Sequence, residues 1–145
     1  MNAEQVKLVQ ASFQKVAPIA DAAAALFYGR LFDLDPALEP LFKGDMVEQG
    51  RKLMQMIGVA VKSLDRLEQV LPAVSALGAR HAGYGVREKD YDTVGRALIW
   101  TLKKGLGEEF TPETEAAWAE VYNTLAGAMK SAQAAAETEA FVPAR

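Results

Sequence analysis

The chain contains no cysteine, a single histidine and no long apolar run. Without cysteine there can be no disulfide, no thiolate metal site and no cysteine nucleophile. The longest apolar stretches, such as IGVAV at 57–61, fall far short of the roughly 20 residues that span a bilayer, so no membrane is expected as a partner. The opening residues, MNAEQVKLVQ, lack the basic-then-apolar pattern of a secretory leader, and the expected location is the cytoplasm. A formal charge of −3 argues against nucleic acid as a partner. Alternating β-branched runs bounded by tight-turn dipeptides are also missing, which argues against strands.

What is present points to helices. The 145 residues suit one domain, and half of them are apolar, enough to bury one core. Ala, Leu, Glu, Lys, Gln and Met dominate, and all are good helix formers. Asn2 is placed to cap a helix over about 3–17, with Gln5 as its capping-box partner and Val6, Val9, Phe13 and Val16 inward. A second helix covers about 19–34. Asp35 and Pro36 open a short third helix ending near Phe42. After a turn at KGDM (43–46), Leu53, Met54, Ile57 and Val61 mark the inner face of a helix over about 47–63.

A connector interrupted by Pro72 leads to a helix over about 73–82, which stops at the glycines of AGYGV (82–86). Another helix runs over about 88–105. Thr111 and Pro112 open the last, over about 112–136, with Trp118, Val121, Tyr122, Leu125 and Met129 inward. The lengths are unequal and no heptad is sustained, so crossed packing is expected rather than a coiled coil or an up-down bundle.

His81 is the one strong transition-metal ligand in the chain. It stands near the end of a helix, one turn after Leu77. There, one ring nitrogen can donate to a carbonyl a turn back while the other points away, which fixes the tautomer. A lone histidine is more often a helix-terminal residue than a ligand, and zinc would need further ligands at matching spacing. Heme iron arrives with four nitrogens and needs only one from the protein. Tyr28 reads equally well as a core tyrosine among Phe27, Leu31 and Phe32 or as a polar group in a pocket. Gln49 reads as a solvated first-turn residue or a pocket residue.

Five segments settle these alternatives by resemblance. LFYGRLFDLDPALEPLF (26–42), RKLMQMIGVAV (51–61), LGARHAGYGV (77–86), YDTVGRALIWTLKKGLG (91–107) and FTPETEAAWAEVY (110–122) together resemble successive helices of a globin. The likeness runs from about residue 4 to about residue 132. It is strongest to bacterial single-domain globins and the globin domains of flavohemoglobins, with neuroglobin-like features. It implies an all-α globin fold, a three-over-three helical sandwich around a heme. The domain would cover 1–137, with a loosely ordered tail at 138–145.

The resemblance also implies a heme b, since no cysteine is available for covalent attachment. His81 falls on the iron-ligand position. Tyr28, Gln49 and Leu53 fall on the opposite face, where a gas binds. Phe42 falls on the position that stacks on heme, and Lys52 and Arg80 on positions that reach its propionates. Met56, Leu77, Val86, Tyr91 and Val94 fall on pocket walls. These residue types suit a group with large apolar faces and two carboxylates. With one histidine, the sixth iron position cannot be closed by a second imidazole; it is left open or to water, Tyr28 or Gln49.

The implied function is reversible binding of O₂, with CO and NO as further ligands, for storage or transport by a monomer or weak homodimer. This describes a carrier rather than an enzyme in the strict sense. The alternative is detoxification as an NO dioxygenase or peroxidase with an external reductase, because no flavin or nicotinamide motif follows in this sequence. In flavohemoglobins the iron-ligating histidine is backed by a tyrosine and a glutamate. Tyr91 matches the tyrosine. A count along the last helix puts the glutamate position at Ala135, with Glu137 facing elsewhere.

Overall fold

The computed structural model describes residues 2–42, 44–81 and 86–141, with side chains as far as Glu137. Six α-helices follow one another: α1 Ala3–Val16, α2 Ala20–Leu34, α3 Met46–Lys62, α4 Leu67–His81, α5 Glu88–Leu106 and α6 Pro112–Phe141. Short 3-10 segments join several of them, and no strand occurs among the described residues.

The helix starts are set by side chains that satisfy the first orphan amides. Asn2 Oδ1 accepts from the Gln5 amide at 2.8 Å while Gln5 Oε1 accepts from the Asn2 amide at 3.1 Å, completing the expected capping box. Asp45 accepts from the Val47 amide at 2.9 Å and opens α3. Thr111 Oγ1 accepts from the Thr114 amide at 3.2 Å and opens α6. At the other end of α5, Gly107 has φ +58° and turns the chain where a side chain would be strained.

Three elements differ from the sequence reading. The short helix after Asp35 is a 3-10 segment, Pro36–Leu41, because it holds a second proline, Pro40, which has no amide hydrogen to give. Pro72 does not break the chain: α4 runs continuously from Leu67, and a proline in its second turn removes a single interior hydrogen bond. The last helix runs five residues beyond the expected end, to Phe141. Of the two turns expected at 43–46 and 82–86, Lys43 and residues 82–85 lie outside the described residues.

Two apolar clusters form the interior. One gathers Val9, Val16, Val61, Leu102, Trp118 and Val121 from α1, α3, α5 and α6. Trp118 is 2% exposed, and its indole N–H is satisfied by Ser12 Oγ at 2.8 Å. The other gathers Phe27, Tyr28, Leu31, Leu38 and Ala97, with Phe42, Leu53 and Val94 packed against it. Tyr28, Phe42 and Leu53 therefore lie in one place.

The helices pack around α1, which meets α6, α3 and α5. α4 lies on α6, and α2 lies on both α5 and α3. Glycines permit the closest approaches. A Cβ on Gly78 would stand 2.4 Å from the Met129 carbonyl oxygen, so α4 meets the backbone of α6 directly. A Cβ on Gly50 would stand 2.8 Å from that of Ala24, where α3 crosses α2. No comparable packing joins α3 to α4 among the described residues. The two helices that carry Gln49, Leu53, Leu77 and His81 thus bound the candidate cleft from either side without packing on each other.

Candidate functional site: one imidazole facing a polar pair

The α4 side of the cleft ends in His81. Its Nδ1 lies 2.7 Å from the Leu77 carbonyl oxygen, so Nδ1 carries the hydrogen and the ring's lone pair is on Nε2. The ring is half-buried and stands beside that of Tyr91, with centroids 6.3 Å apart and planes at 31°. No group of three His, Cys, Asp or Glu able to hold a bare metal occurs among the described residues. One imidazole whose Nδ1 is held by a backbone carbonyl is a donor set that fits heme iron, which brings its other nitrogens with it.

The other side of the cleft is lined from α2, α3 and the 3-10 segment. Tyr28 is buried, and its ring is held by three phenylalanines: Phe27 at 5.1 Å, Phe42 at 5.3 Å and Phe32 at 6.1 Å between centroids. Burial pushes its hydroxyl up to about 12, while the Gln49 amide pulls it the other way through a side-chain hydrogen bond. Tyr28 is therefore a core aromatic of this cluster. Gln49 is itself half-buried, in the first turn of α3. Leu53, one turn on, packs against the same cluster, as do Phe42 and Val94.

The rim residues are on the surface. Lys52 and Arg80 are exposed, on α3 and α4 respectively. Met56 is 43% exposed, a large apolar side chain one turn beyond Lys52. Leu77 and Val86 are half-buried, and Tyr91 is buried.

The expectation for the tyrosine's partner is corrected. Ala135 is exposed and takes no part. Gln133, 5% exposed, holds Tyr91: its Oε1 accepts from the Tyr91 hydroxyl at 2.5 Å. Glu137 does not face elsewhere, since its Oε1 accepts from Gln133 Nε2 at 2.9 Å, one turn along α6. Burial raises the Tyr91 hydroxyl above its ordinary value, and the Glu137 charge adds to this. A signal was present: Gln133 stands one turn after Met129 on the inward stripe of the last helix, where an apolar residue is expected.

The entry into α5 is braced as well. Asp90, 3% exposed, accepts from the Arg87 amide at 2.8 Å and from its guanidinium at 3.2 Å, and the same guanidinium reaches Asp35 at 3.4 Å. Asp35 opens the 3-10 segment that leads to Phe42. An ion-pair network therefore ties the start of α5 to the segment that leads to Phe42.

This fold is that of a known class. The family model described as Globin matches residues 25–129, most of the chain, and the protein belongs to the globin family. Among curated proteins it is 29% identical to a flavohemoprotein of Halalkalibacterium halodurans, over 87% of this chain but only 31% of that much longer protein. It is 25% identical to neuroglobin of Tetraodon nigroviridis, over 89% of this chain and 90% of that one. Among solved structures, it superposes with a TM-score of 0.87 on an engineered carbene transferase made from a Rhodothermus marinus protein assigned as a nitric oxide dioxygenase. The identity there is 25%, covering 97% of this chain and 98% of that one. A bacterial globin from Campylobacter jejuni shares the fold with a TM-score of 0.81 and 24% identity, over 92% and 97% of the two chains. No helix among the described residues is long and apolar enough to cross a membrane.

Proposed function

We propose that this globin binds heme b through His81 and takes up O₂ reversibly on the Tyr28 side of the cleft, for storage or transport. The observation that carries the reading is the 2.7 Å contact of His81 Nδ1 with the Leu77 carbonyl, which presents Nε2 as the ligating atom. A bound heme would supply a ferrous iron that accepts one diatomic ligand. Everything else falls to the chain. Phe42, Leu53, Leu77 and Val94 form the apolar walls, Met56 becomes covered, and Lys52 and Arg80 meet carboxylates at the rim. Tyr28 offers an O–H and Gln49 an N–H to a ligand that takes on negative charge.

The test is the absorption spectrum of the reconstituted full chain, ferric, ferrous and CO-bound, beside His81→Ala. Wild type should give the spectrum of a five-coordinate, imidazole-ligated ferrous heme, and His81→Ala should not. Indistinguishable ferrous spectra would remove His81 from its role.

A second reading is supported by the proximal side. Tyr91 backs His81 and is itself hydrogen-bonded, and two of the proteins similar to this chain are a flavohemoprotein and a relative assigned as a nitric oxide dioxygenase. On this reading the chain consumes NO with O₂, drawing electrons from a separate reductase. Stopped-flow mixing of the oxygenated protein with NO, followed by repeated cycles with a reductase, separates the two: a carrier reacts once, an enzyme turns over.

A further inference from the structure

A groove of about 490 Å³ runs between α5 and α6. Arg96, Ile99, Trp100 and Lys103 line it from α5, and Ala119 and Asn123 from α6. None of the residues placed in the candidate cleft is among its lining. Positions 96, 100, 103 and 104 fall at i, i+4, i+7 and i+8, so these side chains share one face of α5. Trp100 is half-buried at its middle, with two cations against the indole. The Arg30 guanidinium, from α2, lies 5.2 Å from the ring centroid, and the Lys104 ammonium 5.6 Å.

This face gathers positive charge that the chain does not neutralise. Of Arg30, Arg96, Lys103 and Lys104, only Lys103 has an ion-pair partner among the described residues, Glu115 at 2.9 Å. Arg30 Nε is buried and has no hydrogen-bond partner among them. Leu26, one turn before Arg30 on α2, is 39% exposed. Gly127, one turn after Asn123 on α6, is exposed, and a Cβ there would meet nothing within 4 Å. Packing inside the chain does not account for so poor a helix former at that point, whereas a second backbone crossing close to α6 would.

The missing negative charge is nearby. The corner that joins α5 to α6 and the first turn of α6 carry Glu108 and Glu113, both exposed. Their neighbours Glu109 and Glu115 are taken by Lys15 and Lys103, while Glu108 and Glu113 have no ion-pair partner among the described residues. One chain therefore holds both halves of a match. A two-fold axis sets the basic stripe of each copy against the acidic corner of the other, and the apolar middle, Leu26, Ile99 and Trp100, packs on its own counterpart. Two chains of net charge −3 repel in most orientations, and the one that joins these unlike patches is favoured. A tryptophan and an arginine at the centre are the residue types that anchor interfaces.

We infer that this face, centred on Trp100, is the contact surface of a symmetric homodimer of the globin. The inference does not depend on the role given to His81.

The experiment is sedimentation velocity of the full heme-loaded chain over a concentration series, at low and at high salt. Wild type should pass from monomer to dimer as concentration rises, and less readily in high salt, which screens the charge pairs. Trp100→Ala should raise the dissociation constant roughly tenfold or more. Two charge variants decide the face. Arg96→Glu with Lys104→Glu makes both patches acidic, and Glu108→Lys with Glu113→Lys makes both basic. Each alone should be monomeric, and an equal mixture should form a dimer holding one of each. These exposed substitutions, with folding checked by circular dichroism, carry the test if Trp100→Ala does not fold. A wild type that stays monomeric overturns the inference and leaves the basic face to an acidic partner of another kind. Charge variants that dimerise as tightly as wild type place the contact elsewhere and overturn it too, as does a mixture that does not pair. All of these are read by mass, so they stand whether or not His81 ligates iron.

Discussion

His81 Nδ1 and the Leu77 carbonyl oxygen lie 2.7 Å apart, one turn along the same helix. The histidine thus takes its orientation from its own backbone. An imidazole from solution can then replace the side chain if the cleft is intact. We expect His81→Gly to bind heme weakly alone and to recover a five-coordinate ferrous spectrum on adding imidazole. No recovery, with helicity unchanged by circular dichroism, would count against a ligand at this position.

The Tyr28–Gln49 pair gives a prediction in rates. A hydrogen bond to a charged group contributes about 1.5–3 kcal/mol, and about 1.4 kcal/mol is a tenfold change, so losing one donor should speed O₂ release roughly ten- to a hundredfold. Tyr28→Phe and Gln49→Leu should each show this, with a smaller effect on CO, which draws less charge. Since the two side chains interact, the double variant should fall short of the product of the single effects. Flash photolysis and stopped-flow displacement measure all of these, and equal O₂ off-rates in wild type and both variants would place the pair outside the ligand's reach.

Helix propensity and packing make opposite predictions at Gly78. Alanine inside a helix is intrinsically better than glycine by about 0.5–1 kcal/mol. A Cβ at this site, however, meets the Met129 backbone at 2.4 Å, and overpacking costs about 1–3 kcal/mol. Packing should win, so Gly78→Ala is expected to be destabilised in urea titration and to bind heme less tightly as α4 moves off α6. A stabilised variant would mean that α4 is looser on α6 than described.

Alkaline pH should reveal the buried phenols. Burial raises Tyr28 to about 12 and also raises Tyr91 and Tyr122 above the ordinary value of 10.0. Below pH 10.0 these hydroxyls are protonated in both folded and unfolded chains, and the stability they contribute is fully present. As pH rises past 10.0 the unfolded chain loses protons that the folded chain keeps, so stability falls, and for Tyr28 the loss is complete near 12. We expect urea midpoints to drop over this window, less steeply in Tyr28→Phe. Phenolate absorbance of the folded protein should lag that of the denatured chain.

Much of this fold could be read from local chemistry. Asn2 with Gln5, Asp35 before Pro36 and Thr111 before Pro112 are caps that act within one turn, so their geometry follows from adjacent residues. The roles of His81 and Tyr28 come from resemblance, because residue type and spacing leave two readings for Tyr28 as they do for Gln49. The rest depended on contacts far apart in the chain. Apolar periodicity is blind to a buried amide, and Gln133 finds its partner Tyr91 42 residues away in the chain. The proline at 72 looked like a boundary because only tertiary packing on α6 repays its missing hydrogen bond.

The walls of the cleft belong to different neighbourhoods: α4 leans on α6, and α3 leans on α2. A rigid disc clasped between them would act as mortar, joining two blocks that the chain itself links there by the short turn at Leu64–Arg66. Chain made faster than porphyrin is supplied should therefore open along this seam first, and degradation would match the amount of globin to the amount of pigment.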